Sequence, residues 1–170
     1  MPEMWIGPPS PCTTAAAPFG NVSVVMIASA APWIAASHSW LAKLLTDIPG
    51  SSAWFERGYV TYSNTAKQEA LGVSTQTLNT HGAVSEQVAR AMAEGALKTT
   101  GVAIAIAVTG IAGPSGGTLD KPVGTVWMAL AGPDGTEAVQ RLNRFDRETF
   151  KFTTSQQALH LLFRQLKRSH

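Results

Sequence analysis

The sequence predicts an α/β fold, a three-layer α/β/α sandwich around a mixed, mostly parallel five-stranded sheet. Apolar stretches typical of strands alternate with segments of helical periodicity, an order that places helices on both faces of a sheet. Residues 102–108 (VAIAIAV) form an unbroken apolar stretch, which is typical of a strand that is buried on both faces. The chain then ends with a strand pair and a long helix, which indicates one domain with a closing hairpin.

Five strands are predicted from short stretches rich in apolar and β-branched residues and bounded by turn residues. They lie at residues 22–28, 53–63, 102–108, 124–131 and 138–145. The second strand is expected to bend at Gly58. The last two are joined across Gly132-Pro133-Asp134-Gly135, and so tight a turn makes them an antiparallel pair.

Helices are predicted between and after these strands, one ending near residue 45 and the others at residues 64–71, 85–98 and 148–167. The Pro49-Gly50 turn stops the first, and Gly72 closes the second where a left-handed residue is needed. Ser85 is a suitable N-cap for the third. Leu162 and Leu166 belong to the apolar stripe of the last.

Composition restricts the classes of function. The 170 residues suit one domain, and 45% hydrophobic with 14% charged residues is typical of a globular protein. A net charge of +2 is too small to predict binding to nucleic acid or to a membrane surface. The single Cys12 and four scattered histidines predict neither a disulfide nor a metal site, so a reduced, cytoplasmic setting is expected.

The charge changes abruptly near Lys43. The first 42 residues contain one charged side chain, Glu3, and six of the ten prolines, whereas all 13 Lys and Arg follow. Residues 1–20 are expected to be poorly ordered, and the domain is expected to span residues 21–167. The apolar residues 22–36 have no preceding basic residue and contain Pro32, which argues against a signal peptide or membrane span.

Three loops contain more polar residues and glycines than folding requires. In the first, Tyr62 and Lys67 could face one another across the first turn of a helix. A desolvated lysine beside a hydroxyl can act as a base, because burial lowers its pKa. An ordinary helix start with a surface lysine is the alternative interpretation.

The second loop, residues 109–117, follows the most apolar strand, contains four glycines and matches neither nucleotide-binding fingerprint. Ligands gather outside the carboxyl ends of strands in α/β sheets, where glycines let backbone N–H groups approach an anion. Lys121 adds positive charge nearby. The alternative interpretation is that this loop only connects two strands and binds no ligand. In a third loop, residues 81–86, His81 is interpreted as structural.

Three segments together resemble the CinA C-terminal domain family, the nicotinamide-nucleotide amidases. They are residues 46–67 (TDIPGSSAWFERGYVTYSNTAK), 81–86 (HGAVSE) and 109–127 (TGIAGPSGG...KPVGTVW), and the likeness covers residues 40–166. The resemblance implies a three-layer α/β/α sandwich that cleaves the carboxamide of nicotinamide mononucleotide, giving nicotinic acid mononucleotide and ammonia. It implies a small-molecule nucleotide substrate and no cofactor or metal, and it leaves open a homo-oligomer.

The resemblance also assigns residues. Family members use a serine within a Glu-Ser-Cys-Thr-Gly-Gly motif, with a tyrosine and a lysine that correspond to Tyr62 and Lys67. Here residues 34–39 read Ile-Ala-Ala-Ser-His-Ser, so the serine position falls on Ala35. The candidate substrate-binding residues are Thr109, Gly110, Gly113, Gly116, Gly117 and Arg147.

Two functional hypotheses follow from this departure. In one, the chain is an amidase in which Ser37 or Ser39 replaces the family serine. In the other, it is a catalytically impaired member that keeps a nucleotide-binding pocket or serves as an interaction module. We interpret the change near Lys43 as a shifted reading frame or an altered gene start, which reading the coding DNA in its other frames would test.

Overall fold

The computed structural model describes residues 24–30 and 35–168, and it describes side chains from Trp40 onward. The expected disorder of residues 1–20 lies outside the described residues. The strands are β1 (Val24–Ala30), β2 (Phe55–Val60), β3 (Ile104–Gly110), β4 (Thr125–Gly132) and β5 (Gly135–Leu142). The helices are α1 (Ala35–Thr46), α2 (Asn64–Leu71), α3 (Thr75–His81), α4 (Glu86–Thr100) and α5 (Arg147–Arg168).

The strands form one mixed sheet in the order β2-β1-β3-β4-β5. Strand β1 runs parallel to β2 and β3, whereas β4 runs antiparallel to both β3 and β5. The expectation of a mostly parallel sheet is therefore not confirmed. The reason is the loop between β3 and β4, whose ends pair with each other: Gly124 N–H donates to the Ile111 carbonyl at 2.7 Å. The chain thus turns back instead of crossing over.

Helices cover both faces of the sheet, which makes three layers. On one face, α1 and α5 pack on large side chains of β3 and β4, such as Ile106 and Met128. On the other, α2, α3 and α4 pack on small ones, such as Ala105 and Ala107. Every residue of β3 is buried, as its apolar sequence predicts.

Strand and helix ends lie up to three residues from their predicted positions, and two further differences concern the elements themselves. Strand β2 does not bend at Gly58, which pairs in register with Met26. The irregularity lies at Glu56 instead, which has no partner residue in β1 because Val24 pairs with Phe55 and Val25 pairs with Arg57. Helix α3 was not predicted, because its sequence TQTLNTH has one apolar residue and hence no periodicity. In the part of the chain that the structure describes, no helix is long and apolar enough to cross a membrane.

Candidate active site

The arrangement of strands creates a crevice at the carboxyl end of β1. Ala28 pairs with Val60 at the end of β2, and Ala30 pairs with Gly110 at the end of β3. The chain leaves β1 through α1 on one face of the sheet and returns to β3 through helices on the other. Such a reversal leaves a gap beside the strand ends, where ligands of α/β proteins bind.

A pocket of about 340 Å³ lies in this region, and all three loops singled out in the sequence line it. Its lining residues are Tyr62, Asn64, Lys67, Gly82, Ala83, Val84, Gly110, Ile111, Gly116, Thr118 and Lys121. A larger cavity of about 560 Å³ lies along α5 and β5 and contains none of the predicted site residues. The side chains suited to chemistry therefore gather in the smaller pocket.

Lys67 is held in the pocket by the first turn of α2. The Ser63 hydroxyl caps this helix by accepting from Ala66 N–H at 3.0 Å. The Lys67 side chain is only 1% exposed, and its Nζ donates to the carbonyls of Tyr62 and Ser63, each at 3.3 Å. No carboxylate pairs with it among residues 40–168. Burial without a counter-charge lowers the pKa of Lys67 from 10.5 to about 8.

Tyr62 immediately precedes the Ser63 cap of α2, and its backbone carbonyl is one of the two acceptors of the Lys67 amine. Its hydroxyl oxygen is buried and has no hydrogen-bond partner among the described residues. Desolvation raises the pKa of Tyr62, and the charge of Arg147 opposes the rise. Arg147, the first residue of α5, therefore lies close enough to act on this hydroxyl. The unpartnered hydroxyl is available to a ligand, since buried polar groups are rarely left unsatisfied.

The loops are joined by two hydrogen bonds that cross the site. The Thr109 hydroxyl, fully buried at the end of β3, donates to the Ala83 carbonyl at 2.8 Å. The Lys121 ammonium donates to the His81 carbonyl. Thr109 thus holds a loop in place and does not line the pocket. His81 contributes its backbone carbonyl to this contact, in keeping with the structural role expected of it.

The candidate glycines divide into two pairs. Gly110 and Gly116 line the pocket. Gly113 and Gly117 pack on Val123 instead, where an added Cβ would come within 2.5 Å and 2.6 Å of its atoms. These two glycines therefore let the loop fold tightly, and the structure does not place them on the pocket wall.

The serine candidates lie on α1, which begins at Ala35 after β1 has reached the pocket edge. The backbone of Ser37 and Ser39 is helical, and their side chains lie outside the described part of the chain. The sequence interpretation missed Asn64, Gly82, Val84 and Thr118 as lining residues. Each stands next to a motif residue, and that proximity is the signal which could have found them.

Comparisons with known proteins show which family this chain resembles. The family model named CinA C-terminal domain matches residues 35–166. A CinA-like protein of Anaeromyxobacter sp. (strain K) is 56% identical over 122 residues, which are 72% of this chain and 30% of that protein. The nicotinamide-nucleotide amidohydrolase PncC of Escherichia coli (strain K12) is 52% identical over 128 residues, 74% of this chain and 77% of that protein.

Solved structures give the same fold. The competence/damage inducible protein CihA from Agrobacterium tumefaciens has a TM-score of 0.78 at 41% identity, over 86% of each chain. A CinA superfamily protein from Escherichia coli has a TM-score of 0.77 at 31% identity, over 84% of this chain and 80% of that one. The chain spans about 30% of the length of its CinA-like relative and 77% of the length of the PncC relative.

Proposed function

The chain belongs to the CinA C-terminal domain family, and from this premise we propose that it is a nicotinamide-nucleotide amidohydrolase. The substrate is nicotinamide mononucleotide, whose carboxamide is hydrolysed to the carboxylate of nicotinic acid mononucleotide with release of ammonia. The amidase domain spans residues 21–167 in this proposal. The observation that carries it is that the buried Lys67 and Tyr62, whose hydroxyl has no hydrogen-bond partner among the described residues, line the same pocket at the strand ends.

Lys67 and Tyr62 supply the proton transfers of this reaction. An amine with a pKa of about 8 is partly neutral near neutral pH, so Lys67 accepts a proton from an attacking hydroxyl. That hydroxyl oxygen bonds to the amide carbon. The amide nitrogen takes the proton from Lys67, and the bond from the carbon to this nitrogen breaks to release ammonia. Water then hydrolyses the resulting ester by the same route. The Tyr62 hydroxyl, which has no hydrogen-bond partner among the described residues, donates a hydrogen bond to the reacting groups in this proposal.

The oxyanion formed on the amide carbon needs donors or positive charge close by. Arg147 is not among the described residues that line the pocket, but its charge acts on the Tyr62 hydroxyl, which makes it a candidate for this role. Gly110 and Gly116 leave the backbone of their loop open to the substrate. The side chains of the proposed nucleophiles Ser37 and Ser39 lie outside the described residues, so their part rests on the family resemblance.

A second candidate function is a family member with impaired catalysis that retains its nucleotide-binding pocket. One observation favours it: Ala35 occupies the position of the family serine, and alanine has no hydroxyl. This alternative uses the same pocket and the same ligand. It differs from the first in turnover alone.

Turnover decides between the two. Ammonia and nicotinic acid mononucleotide are measured after incubating the folded chain with nicotinamide mononucleotide, beside Lys67→Ala. Equal amounts of the two products, absent in Lys67→Ala, are expected for the amidohydrolase. Binding of the nucleotide without products supports the impaired member, and neither binding nor products would contradict both.

A further inference from the structure

We propose that Lys121 recognises the phosphate group of a mononucleotide in this pocket and so selects phosphorylated substrates over nucleosides. The inference rests on the proposed function and assigns a specificity-determining residue to it. It begins from the charge of the pocket wall: two of the lining residues are lysines, and none of those described there is acidic. Such a wall favours an anionic ligand.

The two lysines have different surroundings and hence different uses. Lys67 is almost wholly buried in the first turn of α2. Lys121 is half-buried at the wall, and its described side-chain partner is the neutral carbonyl of His81. A carbonyl oxygen takes one of three ammonium protons and neutralises no charge. The Lys121 ammonium therefore keeps two donors and its charge for a ligand.

The backbone holds Lys121 in one position. Lys121 N–H donates to the Thr118 hydroxyl at 3.1 Å, and Thr118 N–H donates to the Lys121 carbonyl at 2.8 Å. The contact of Nζ with His81 then fixes the far end of the side chain. A cation held at both ends loses less conformational entropy when it binds an anion than a free surface lysine does.

Gly82 keeps the space beside this ammonium open. Its φ of 71° with a ψ of 162° is a conformation that is essentially restricted to glycine. An added Cβ would lie 3.4 Å from Lys121 Nζ, within contact distance of the charge that an anion would approach. The missing side chain and the fixed ammonium together form a small recess that suits a phosphate oxygen.

Arg147 is the other cation suited to an anionic group, but it is not among the described residues that line this pocket. Its charge acts on the Tyr62 hydroxyl. In a nicotinamide mononucleotide the carboxamide and the phosphate lie at opposite ends of the molecule. The proposal assigns the carboxamide to Lys67 and Tyr62, and the phosphate to Lys121, which is held by different loops.

Calorimetric binding tests this assignment without requiring turnover. Nicotinamide mononucleotide and nicotinamide riboside, which lacks the phosphate, are titrated into the wild type, Lys121→Met and Lys121→Arg. The control is Lys98→Met, at an exposed lysine in the last turn of α4. We expect the wild type to bind the mononucleotide about 10-fold or more tightly than the riboside, since charge-assisted hydrogen bonds to phosphate are strong.

In Lys121→Met this preference is expected to disappear while the affinity for the riboside stays unchanged, and Lys121→Arg and Lys98→Met are expected to keep it. An equal loss for both ligands would overturn the proposal, because it would mean that Lys121 only holds the His81 loop. A preference that survives in Lys121→Met would overturn it too. If the wild type binds neither ligand, the proposed function fails together with this inference.

Discussion

Lys67 in α2 and Lys151 in α5 are both shielded from water, with 1% and 4% of their surface exposed, yet their partners differ in kind. The Nζ of Lys67 contacts two neutral backbone carbonyls. The Nζ of Lys151 lies 2.6 Å from the carboxylate of Glu148, one turn earlier in its own helix. One amine lines a pocket, and the other takes part in an ion pair away from the pocket wall.

The comparison shows that burial alone does not make a lysine a base. A carboxylate stabilises an ammonium and so offsets the cost of removing it from water, as it does for Lys151. Carbonyl dipoles offset that cost only in part, which is why the pKa of Lys67 falls to about 8. What distinguishes the candidate catalytic region is therefore that no described residue supplies a counter-charge to its lysine, and substitutions of the two lysines should have different consequences.

The largest effect is expected from Lys67→Met. Removing a general base should lower kcat for ammonia release from nicotinamide mononucleotide by about 100-fold to 10,000-fold. The fold should persist, because methionine fills a similar volume without an unpaired buried amine. Lys151→Met is the matched control, and its kcat should stay near that of the wild type. Equal losses in the two variants would contradict the distinction between them.

A hydroxyl restored at the family position should raise activity, and only where Lys67 can activate it. Displacing a reacting group by about 1 Å can cost about 100-fold, so we expect Ala35→Ser to increase kcat by about that factor. The gain should persist in Ala35→Ser combined with Lys151→Met and vanish in combination with Lys67→Met. A gain that survives without Lys67 would show that another group acts as base.

Stability should depend on pH through Lys67. The pKa of Lys67 is about 8 in the folded chain and near 10.5 when unfolded, so between these values the unfolded state binds more protons. The free energy of unfolding should therefore rise with pH across that window, by about 1 to 3 kcal/mol from this group. Urea unfolding at pH 8 and pH 10 gives the free energy of unfolding of the wild type and of Lys67→Met. The difference between the two proteins at each pH isolates the contribution of Lys67. A difference that does not change with pH would contradict the lowered pKa.

The smallest effect is expected from Lys151→Met on stability. Glu148 remains 71% exposed, so water already solvates one member of the pair and continues to do so after substitution. The free energy of unfolding should change by less than about 1 kcal/mol. Urea unfolding at neutral pH is the measurement. A loss of several kcal/mol would show that the ion pair stabilises the fold more than the exposure of Glu148 indicates.

Sequence predicts the parts of this molecule that local chemistry determines. Gly72 ends α2 in a left-handed conformation, Ser85 caps α4, and the glycines at 132 and 135 pair across a hairpin turn, all as their residue types require. Tyr62 and Lys67 were predicted to face one another across the first turn of a helix, and both line the pocket. These features depend on neighbours within a few residues.

Features set by tertiary contacts could not be predicted in this way. Nothing in the sequence near Gly95 shows that an added Cβ would lie 1.8 Å from the Leu71 carbonyl, where α4 crosses the end of α2. The role of Thr109 depends on a carbonyl 26 residues away, and its position in a glycine loop favoured ligand binding instead. That no carboxylate among residues 40–168 pairs with Lys67 likewise depends on every element packed around it.

The most direct test of the contrast between the two lysines is an NMR titration of the lysine Cε resonances in the wild type, Lys67→Met and Lys151→Met. We expect one resonance to titrate at about pH 8, to be absent from Lys67→Met and to remain in Lys151→Met. If all lysines titrate near 10.5, or if the early resonance is lost with Lys151, Lys67 is not the neutral amine on which the proposed chemistry depends.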